Sequence, residues 1–157
     1  MDKVVPFLWF DDKAEEAAEF YVSLLPDSKV ESLSYYGDEP PGMKGKVMTA
    51  SFRLAGQPII ALNGGPDQKL TDAFSILINC EDQEEVDELW GRLTANGGEP
   101  GPCGWLKDRF GVSWQIIPTR LFELMGDPDP EKAGRATHAM LQMGKIDIAG
   151  LERAYAG

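Results

Sequence analysis

Histidine occurs once in this chain, at His138, and cysteine twice, at Cys80 and Cys103. A zinc or iron centre built on two or three imidazoles cannot be assembled from one such chain. Two thiols do not make a disulfide framework, and a reducing compartment keeps them free. Neither has a histidine close in sequence to take its proton, although Cys103 stands in the stretch where chemistry is best placed. That stretch is CGWLKDRFGVSWQIIP, residues 103–118. It combines a thiol, a large aromatic, a lysine and the amide of Gln115 in a strand-turn-strand pattern. Gln115 and Cys103 are the candidates for a catalytic role. Trp105, Gln115, Ser75, Asn63, Arg53, Cys103 and Lys107 are the candidates for binding a ligand.

Strands position these groups, because successive side chains on a strand point to opposite faces. In SILINC, Ser75, Leu77 and Asn79 oppose Ile76, Ile78 and Cys80. In VSWQIIP, Ser113, Gln115 and Ile117 oppose Val112, Trp114 and Ile116. In TASFRL, Thr49, Ser51 and Arg53 oppose Ala50, Phe52 and Leu54. The second face of each is apolar and is predicted to pack on helices. The first is mixed and is predicted to line a concavity, together with Cys103, Trp105 and Lys107. A hollow with one large aromatic and a few converging polar groups suits a small organic ligand. Arg53 and Lys107 are its basic groups.

The order of elements repeats. VVPFLWF reads as a buried strand and runs into a helix with Asp12 and Glu15 at capping-box spacing, an apolar stripe through Ala14, Ala17, Ala18, Tyr21 and Leu25, and a stop at Pro26. KVESLSYY, KVMTASFRL and QPIIALN follow as strands, the last two joined at Ala55-Gly56. AFSILINC then restarts the pattern. Its helix carries Asp82 and Glu85 at the start, Val86, Leu89, Trp90 and Leu93 on one face, and Gly97-Gly98 at the end. Asp12 to Asp82 and Glu15 to Glu85 are both 70 residues. A short strand over residues 99–102 and the 103–118 hairpin, with Gly111 in its turn, complete the second unit. The glycines of NGGP (residues 63–66) lack a P-loop lysine and a helix start behind them, so they read as a turn between modules.

The expected fold is α+β: two βαβββ modules, about residues 1–66 and 67–120, whose mixed sheets curl into an open barrel around a pocket. A helical tail over about 121–157 follows, with Asp129-Pro130 and Asp147 at helix starts, Ala133, Ala136, Met140 and Met143 on one face, and a role as lid or oligomer contact. Net charge of −11 sets the surface against nucleic acid and anionic membranes. No apolar run is long enough to span a bilayer, and no secretory leader pattern is seen at the start, so the expected location is cytoplasmic.

Several stretches, among them PFLWFDDKAEEAAEFYVSLLPDS, ALNGGP, CEDQEEVDELWGRL, CGWLKDRFGVSWQIIP and MGKIDIAGLERAYAG, are similar to the PhnB-like branch of the glyoxalase/bleomycin-resistance/extradiol-dioxygenase (vicinal oxygen chelate) superfamily. Proteins of this branch often carry the label 3-demethylubiquinone-9 3-methyltransferase. The resemblance implies paired βαβββ modules around a pocket, commonly in a homodimer, but no one reaction. Metal-dependent members hold their ion from the first and last strands of each module. Carried over, those positions fall near Pro6 and at Ser75, where histidines are expected, at Gln115, where glutamate is expected, and at Ala61 or Asn63. Neutral donors of this kind do not hold a transition metal.

The expectation is a small-molecule-binding homodimer, or an enzyme without the superfamily's metal centre and without a cofactor. The alternatives are a divalent-metal lyase, isomerase or dioxygenase that recruits its ion through Asn63, Gln115 or a carboxylate that the sequence does not place, a methyltransferase as the label says, and a purely structural dimer. The methyltransferase reading lacks the glycine-rich strand-to-helix turn of a doubly wound sheet.

Overall fold

The computed structural model describes residues 1–157, which fall into two compact units, Met1–Leu70 and Thr71–Gly157. In the first, β1 (Phe7–Phe10) leads to α1 (Ala14–Val22), then β2 (Lys29–Tyr35), β3 (Val47–Leu54) and β4 (Gln57–Asn63). The strands form one four-stranded sheet in the order β1-β4-β3-β2. β1 runs parallel to β4, and the other pairs are antiparallel. The β3–β4 turn is made at Ala55 and Gly56, both at positive φ, which suits the twist of a two-residue hairpin.

Alternation decides which face is buried. Leu8, Phe10, Ala50, Phe52, Leu54, Ile59 and Ala61 are buried on the side of α1, whose own Ala14, Ala17, Ala18 and Tyr21 are inaccessible. Tyr21 and Phe52 meet with ring centroids 6.1 Å apart. Each large side chain enclosed there contributes about 1.5–3 kcal/mol. The start of α1 departs from expectation. Neither Asp12 nor Glu15 caps it: Lys13 holds the cap position without a side-chain bond. The Ala14 amide donates instead to Asn63 Oδ1, 2.8 Å away at the end of β4. A buried amide from a neighbouring strand takes the acceptor's place, so the local motif is not used. The helix also ends at Val22, ahead of Pro26, with Ser23 Oγ donating to the Phe20 carbonyl.

The second unit repeats the topology: β5 (Ser75–Cys80), α2 (Gln83–Thr94), then β6 (Glu99–Pro100), β7 (Trp105–Lys107) and β8 (Ser113–Pro118), in the order β5-β8-β7-β6 with β5 parallel to β8. Here the local signal is used. Asp82 accepts from the Glu85 amide at 2.9 Å, and Glu85 Oε2 accepts from the Glu81 amide at 2.7 Å. Val86, Leu89 and Leu93 pack inward, while Trp90, expected in the core, is only half-buried at the edge of the stripe.

Asp108 fixes the β7–β8 hairpin. It is 3% exposed, and its carboxylate accepts from the amides of Phe110 (2.8 Å) and Val112 (3.0 Å) and from Trp114 Nε1 (2.8 Å). Gly111 at φ 91° completes the turn.

The tail forms α3 (Thr119–Met125), α4 (Pro130–Leu141) and α5 (Ile148–Ala156). Asp129 caps α4 through the Glu131 amide, with Pro130 in the first turn; Asp147 precedes α5 but makes no capping bond. Leu121, Leu124, Ala136, Ile146 and Leu151 form a core with Ile117 of β8. The amides of Cys103 and Gly104 donate to the carbonyls of Met143 and Gly144, both at 2.8 Å. Gln83 clamps the tail to α2, donating to the Ile146 carbonyl and accepting from the Ile148 amide. Gly104 sits at φ 81°, and a Cβ there would crowd Ile117 Cδ1 at 2.6 Å and the Ile116 carbonyl at 3.1 Å, so glycine suits this close approach of tail and sheet. The tail is therefore a fixed end of the second unit. No helix is long and apolar enough to cross a membrane.

Candidate functional site

Pairing sets the face that Gln115 shares. Trp105 is opposite Gln115, Lys107 opposite Ser113, Leu77 beside Gln115 and Ser75 beside Ser113. Partners in register point the same way, so Ser75, Trp105, Lys107 and Gln115 share the mixed face of the second sheet. Gln115 Nε2 donates to Ser75 Oγ at 2.9 Å. One strand step away, Ser113 Oγ donates to Asp72 Oδ1 at 2.6 Å, and Lys107 Nζ lies 3.6 Å from that oxygen. The Ser113 hydrogen bond, then the Lys107 charge, hold the Asp72 carboxyl below the usual carboxylate range. A hollow of about 140 Å³ adjoins this row, lined by Asp72, Glu99, Pro102, Trp105 and Lys107. Leu77, beside Gln115 by register, is 38% exposed, which leaves apolar surface beside the polar row. The row can align an organic molecule, with Trp105 as platform and amide, hydroxyl, carboxylate and ammonium groups as markers of orientation.

Cys103 stands outside the strand, partly exposed, at φ 58°. Cys80 is buried behind the sheet, and burial pushes its thiol up to about 12, so it stays protonated and inert. Ile117, on the same face as Gln115 by register, is closed over by the tail. The mixed face is thus bounded at that end.

The other two sequence candidates lie in the first unit, on opposite faces of its sheet. Asn63 joins Ile59 and Ala61 on the helix-packed side, 9% exposed. Its Oδ1 caps α1, and its Nδ2 donates to the Val47 carbonyl at 3.1 Å. Arg53 is on the mixed face, which Phe7, Trp9, Ser32, Ser51 and Ile60 share by register. There it binds Glu31, Asp2 and the Gly56 carbonyl. Trp9 has a fixed setting as well: its Nε1 donates to the Gly65 carbonyl at 2.9 Å, and a Cβ on Gly64 would stand 2.3 Å from its ring. The glycines of NGGP serve to seat this indole.

The register also corrects the carry-over of ligand positions. β5 and β8 end on the pair Cys80–Pro118, and β1 and β4 end on Phe10–Asn63. Counting back from these pairs, Ser75 corresponds to Val5, and Gln115 to Ile60 rather than to Ala61 or Asn63. Hydrocarbon at both first-unit positions and neutral oxygen donors at both second-unit positions do not fit a transition metal. No group of three or more His, Cys, Asp or Glu side chains comes together that could hold one.

Asp72, Ser113, Asp108 and Trp9 were not among the sequence candidates. Ser113 was legible by alternation with Gln115. Asp72 and Asp108 lie outside the strands, where no periodicity speaks for them.

The model of the family described as 3-demethylubiquinone-9 3-methyltransferase matches residues 2–117. Among solved structures, the PhnB protein of Bacillus cereus is 35% identical with a TM-score of 0.66, over 74% of this chain and 99% of its own. Protein PA1353 of Pseudomonas aeruginosa is 25% identical with a TM-score of 0.61, over 75% and 98%. The fosfomycin resistance protein FosX of Listeria monocytogenes, at 19% identity, 75% and 93% coverage and a TM-score of 0.51, shares the fold. No curated protein matches the chain. With its two sheets of one topology, its matched family model and these relatives, the chain belongs to the 3-demethylubiquinone-9 3-methyltransferase family, the PhnB-like branch of the vicinal oxygen chelate superfamily.

Proposed function

We infer that this protein binds a small organic ligand against the mixed face of its second sheet, and that any chemistry it performs there runs without the superfamily's metal centre. The observation that carries this reading is the Gln115–Ser75 hydrogen bond. At two positions where metal-dependent members are expected to present ligands, this chain pairs a neutral amide with a neutral hydroxyl. On the second unit, Trp105 supplies the apolar platform, Gln115 and Ser75 a polar anchor, and Lys107 the attraction for an anionic substituent; on the first unit, Arg53 offers such an attraction on that unit's own mixed face. Cys103 borders the second face. Asn63 supports the first unit's architecture while lining a separate cavity of about 650 Å³ beside α1. The active form in this reading is a cytoplasmic homodimer; exposed Phe7 and Leu77 on the mixed faces of their own sheets favour a partner, as do the dimers implied by the family resemblance. The net charge of −11 sets polyanions aside as partners.

The family's description favours a second reading, methyl transfer. Against it, neither sheet is the parallel doubly wound kind, and the only Gly-Gly loop on the first unit seats Trp9. The test is a fragment screen by thermal shift and ¹⁵N NMR on wild type, Trp105→Ala and Gln115→Ala. Fragments that perturb β7 and β8, and lose roughly tenfold or more in affinity in either variant, support the reading. Fragments that bind equally well in both variants would remove this face from the site.

A further inference from the structure

A cavity of about 550 Å³ lies on the mixed face of the first sheet, and Arg53 is the only basic side chain lining it. Pro58, Ile60 and Val5 give it hydrocarbon walls, and Ser32 and Ser51 contribute hydroxyls. Three of the five guanidinium N–H groups are already placed. Nε donates to Glu31 Oε1 at 2.9 Å, Nη1 to the Gly56 carbonyl at 2.9 Å, and Nη2 to Asp2 Oδ2 at 2.6 Å.

These partners are not equivalent. Glu31 stands in β2 at the irregularity between Val30 and Ser32, and Gly56 in the β3–β4 turn. Gly56 offers a backbone carbonyl, and Glu31 is set beside Arg53 by the strand that carries it. Asp2 belongs to the irregular segment before β1, which first joins the sheet when the Pro6 carbonyl accepts from the Ile60 amide at 3.0 Å. Val4, between them, is 81% exposed. The segment that brings Asp2 to Arg53 is thus tethered at Pro6 and crosses the rim of the cavity through Met1, Asp2 and Val5.

We propose that Asp2 is a built-in stand-in for a ligand carboxylate: residues 1–5 form a strap over the cavity, and a small organic carboxylate enters by taking Asp2's place on Arg53 Nη2. The inference rests on the reading of Arg53 as a ligand-binding residue. The exchange is like for like. One carboxylate leaves and another arrives, Glu31 stays, and the charge around the guanidinium is unchanged. The hydrocarbon walls favour a carboxylate with an apolar body. The size of the effect follows from the exposure of the pair, 31% for Arg53 and 43% for Asp2. Ion pairs so exposed favour the closed arrangement by a ratio of roughly 1.4 to 5. A ligand that needs the open one then binds about two- to sixfold more weakly than it would without the strap.

The probe is benzoate, titrated by ¹⁵N NMR into the full chain, the Asp2→Ala variant and the Arg53→Gln variant. Asp2→Ala should bind benzoate about two- to sixfold tighter than wild type, with perturbed amides around Ser51, Arg53 and Ile60, and Arg53→Gln should lose binding. In wild type, saturation should move the amides of residues 3–5 toward their positions in unliganded Asp2→Ala. Equal affinity in wild type and Asp2→Ala, with loss in Arg53→Gln, overturns the strap and leaves Arg53 a ligand-binding residue. Binding that survives Arg53→Gln, or no binding by Asp2→Ala, overturns both.

Discussion

Replacing Asp108 with alanine should destabilise the second unit more than any other single change at a polar residue there. The carboxylate is 3% exposed and accepts three N–H groups, of which the Val112 amide and the Trp114 indole are themselves buried. Alanine takes the carboxylate acceptor away from these donors. Each buried donor so stranded costs about 1–3 kcal/mol. Two give about 2–6 kcal/mol, and about 4 is the expected loss, a large share of the 5–15 kcal/mol that holds a typical domain. Asp108→Asn keeps one oxygen acceptor but turns an NH₂ group toward donors, and should lose about half as much. Urea titration followed by tryptophan emission and far-ultraviolet circular dichroism measures both, with the slope against denaturant as the check that the same surface unfolds. A loss below about 1 kcal/mol for Asp108→Ala would refute the claim that this carboxylate fixes the hairpin carrying Trp105, Lys107 and Gln115.

Three further outcomes can be checked with simple variants. Gly64→Ala drives a Cβ into the Trp9 ring, whose indole is held by Gly65; the overpacking should cost about 1–3 kcal/mol and alter Trp9 emission. Asp72 has its folded-state pKa lowered by Ser113 and Lys107, so its contribution is present above the unfolded carboxylate value and is lost as pH falls through the folded one. Melting temperatures of wild type and Asp72→Asn should therefore differ at neutral pH and converge as the pH falls below the ordinary carboxylate range; a constant difference would contradict this. At pH 8 a disulfide reagent should label one thiol per native chain, Cys103, because Cys80 is buried with its thiol pushed up to about 12; mass spectrometry finding Cys80 labelled first would contradict it.

Much of the architecture was legible because it rests on periodicity. Alternation in β3 and β8 put Phe52 and Trp114 behind the sheets and Arg53 and Gln115 on the mixed faces, where register confirms them. The Asp82–Glu85 start of α2 was legible from spacing alone. The matching pair Asp12 and Glu15 misled, because Asn63, 49 residues from Ala14, caps α1 from another strand. That is a tertiary contact with no local signature. The same reason hid the site's surroundings. Asp72 reaches Ser113 across 41 residues, and Asp2 reaches Arg53 across 51. Gln115 and Ser75 could be named from sequence, but that they bond to each other depends on the pairing of β5 with β8.

We propose that neither Val5 and Ile60 on the first unit nor Ser75 and Gln115 on the second hold a transition metal, although these are positions where metal-dependent relatives are expected to present ligands. Elemental analysis of freshly purified protein, alongside melting curves with manganese, nickel, zinc, iron(II) and a chelator, tests it most directly. Metal should be far below one equivalent per chain, and none of these additions should move the melting temperature by more than about one degree, since an ion that binds only the folded state would stabilise it by mass action. One equivalent of metal, removed by chelator with a fall in melting temperature and bound less tightly by Gln115→Ala, would contradict it.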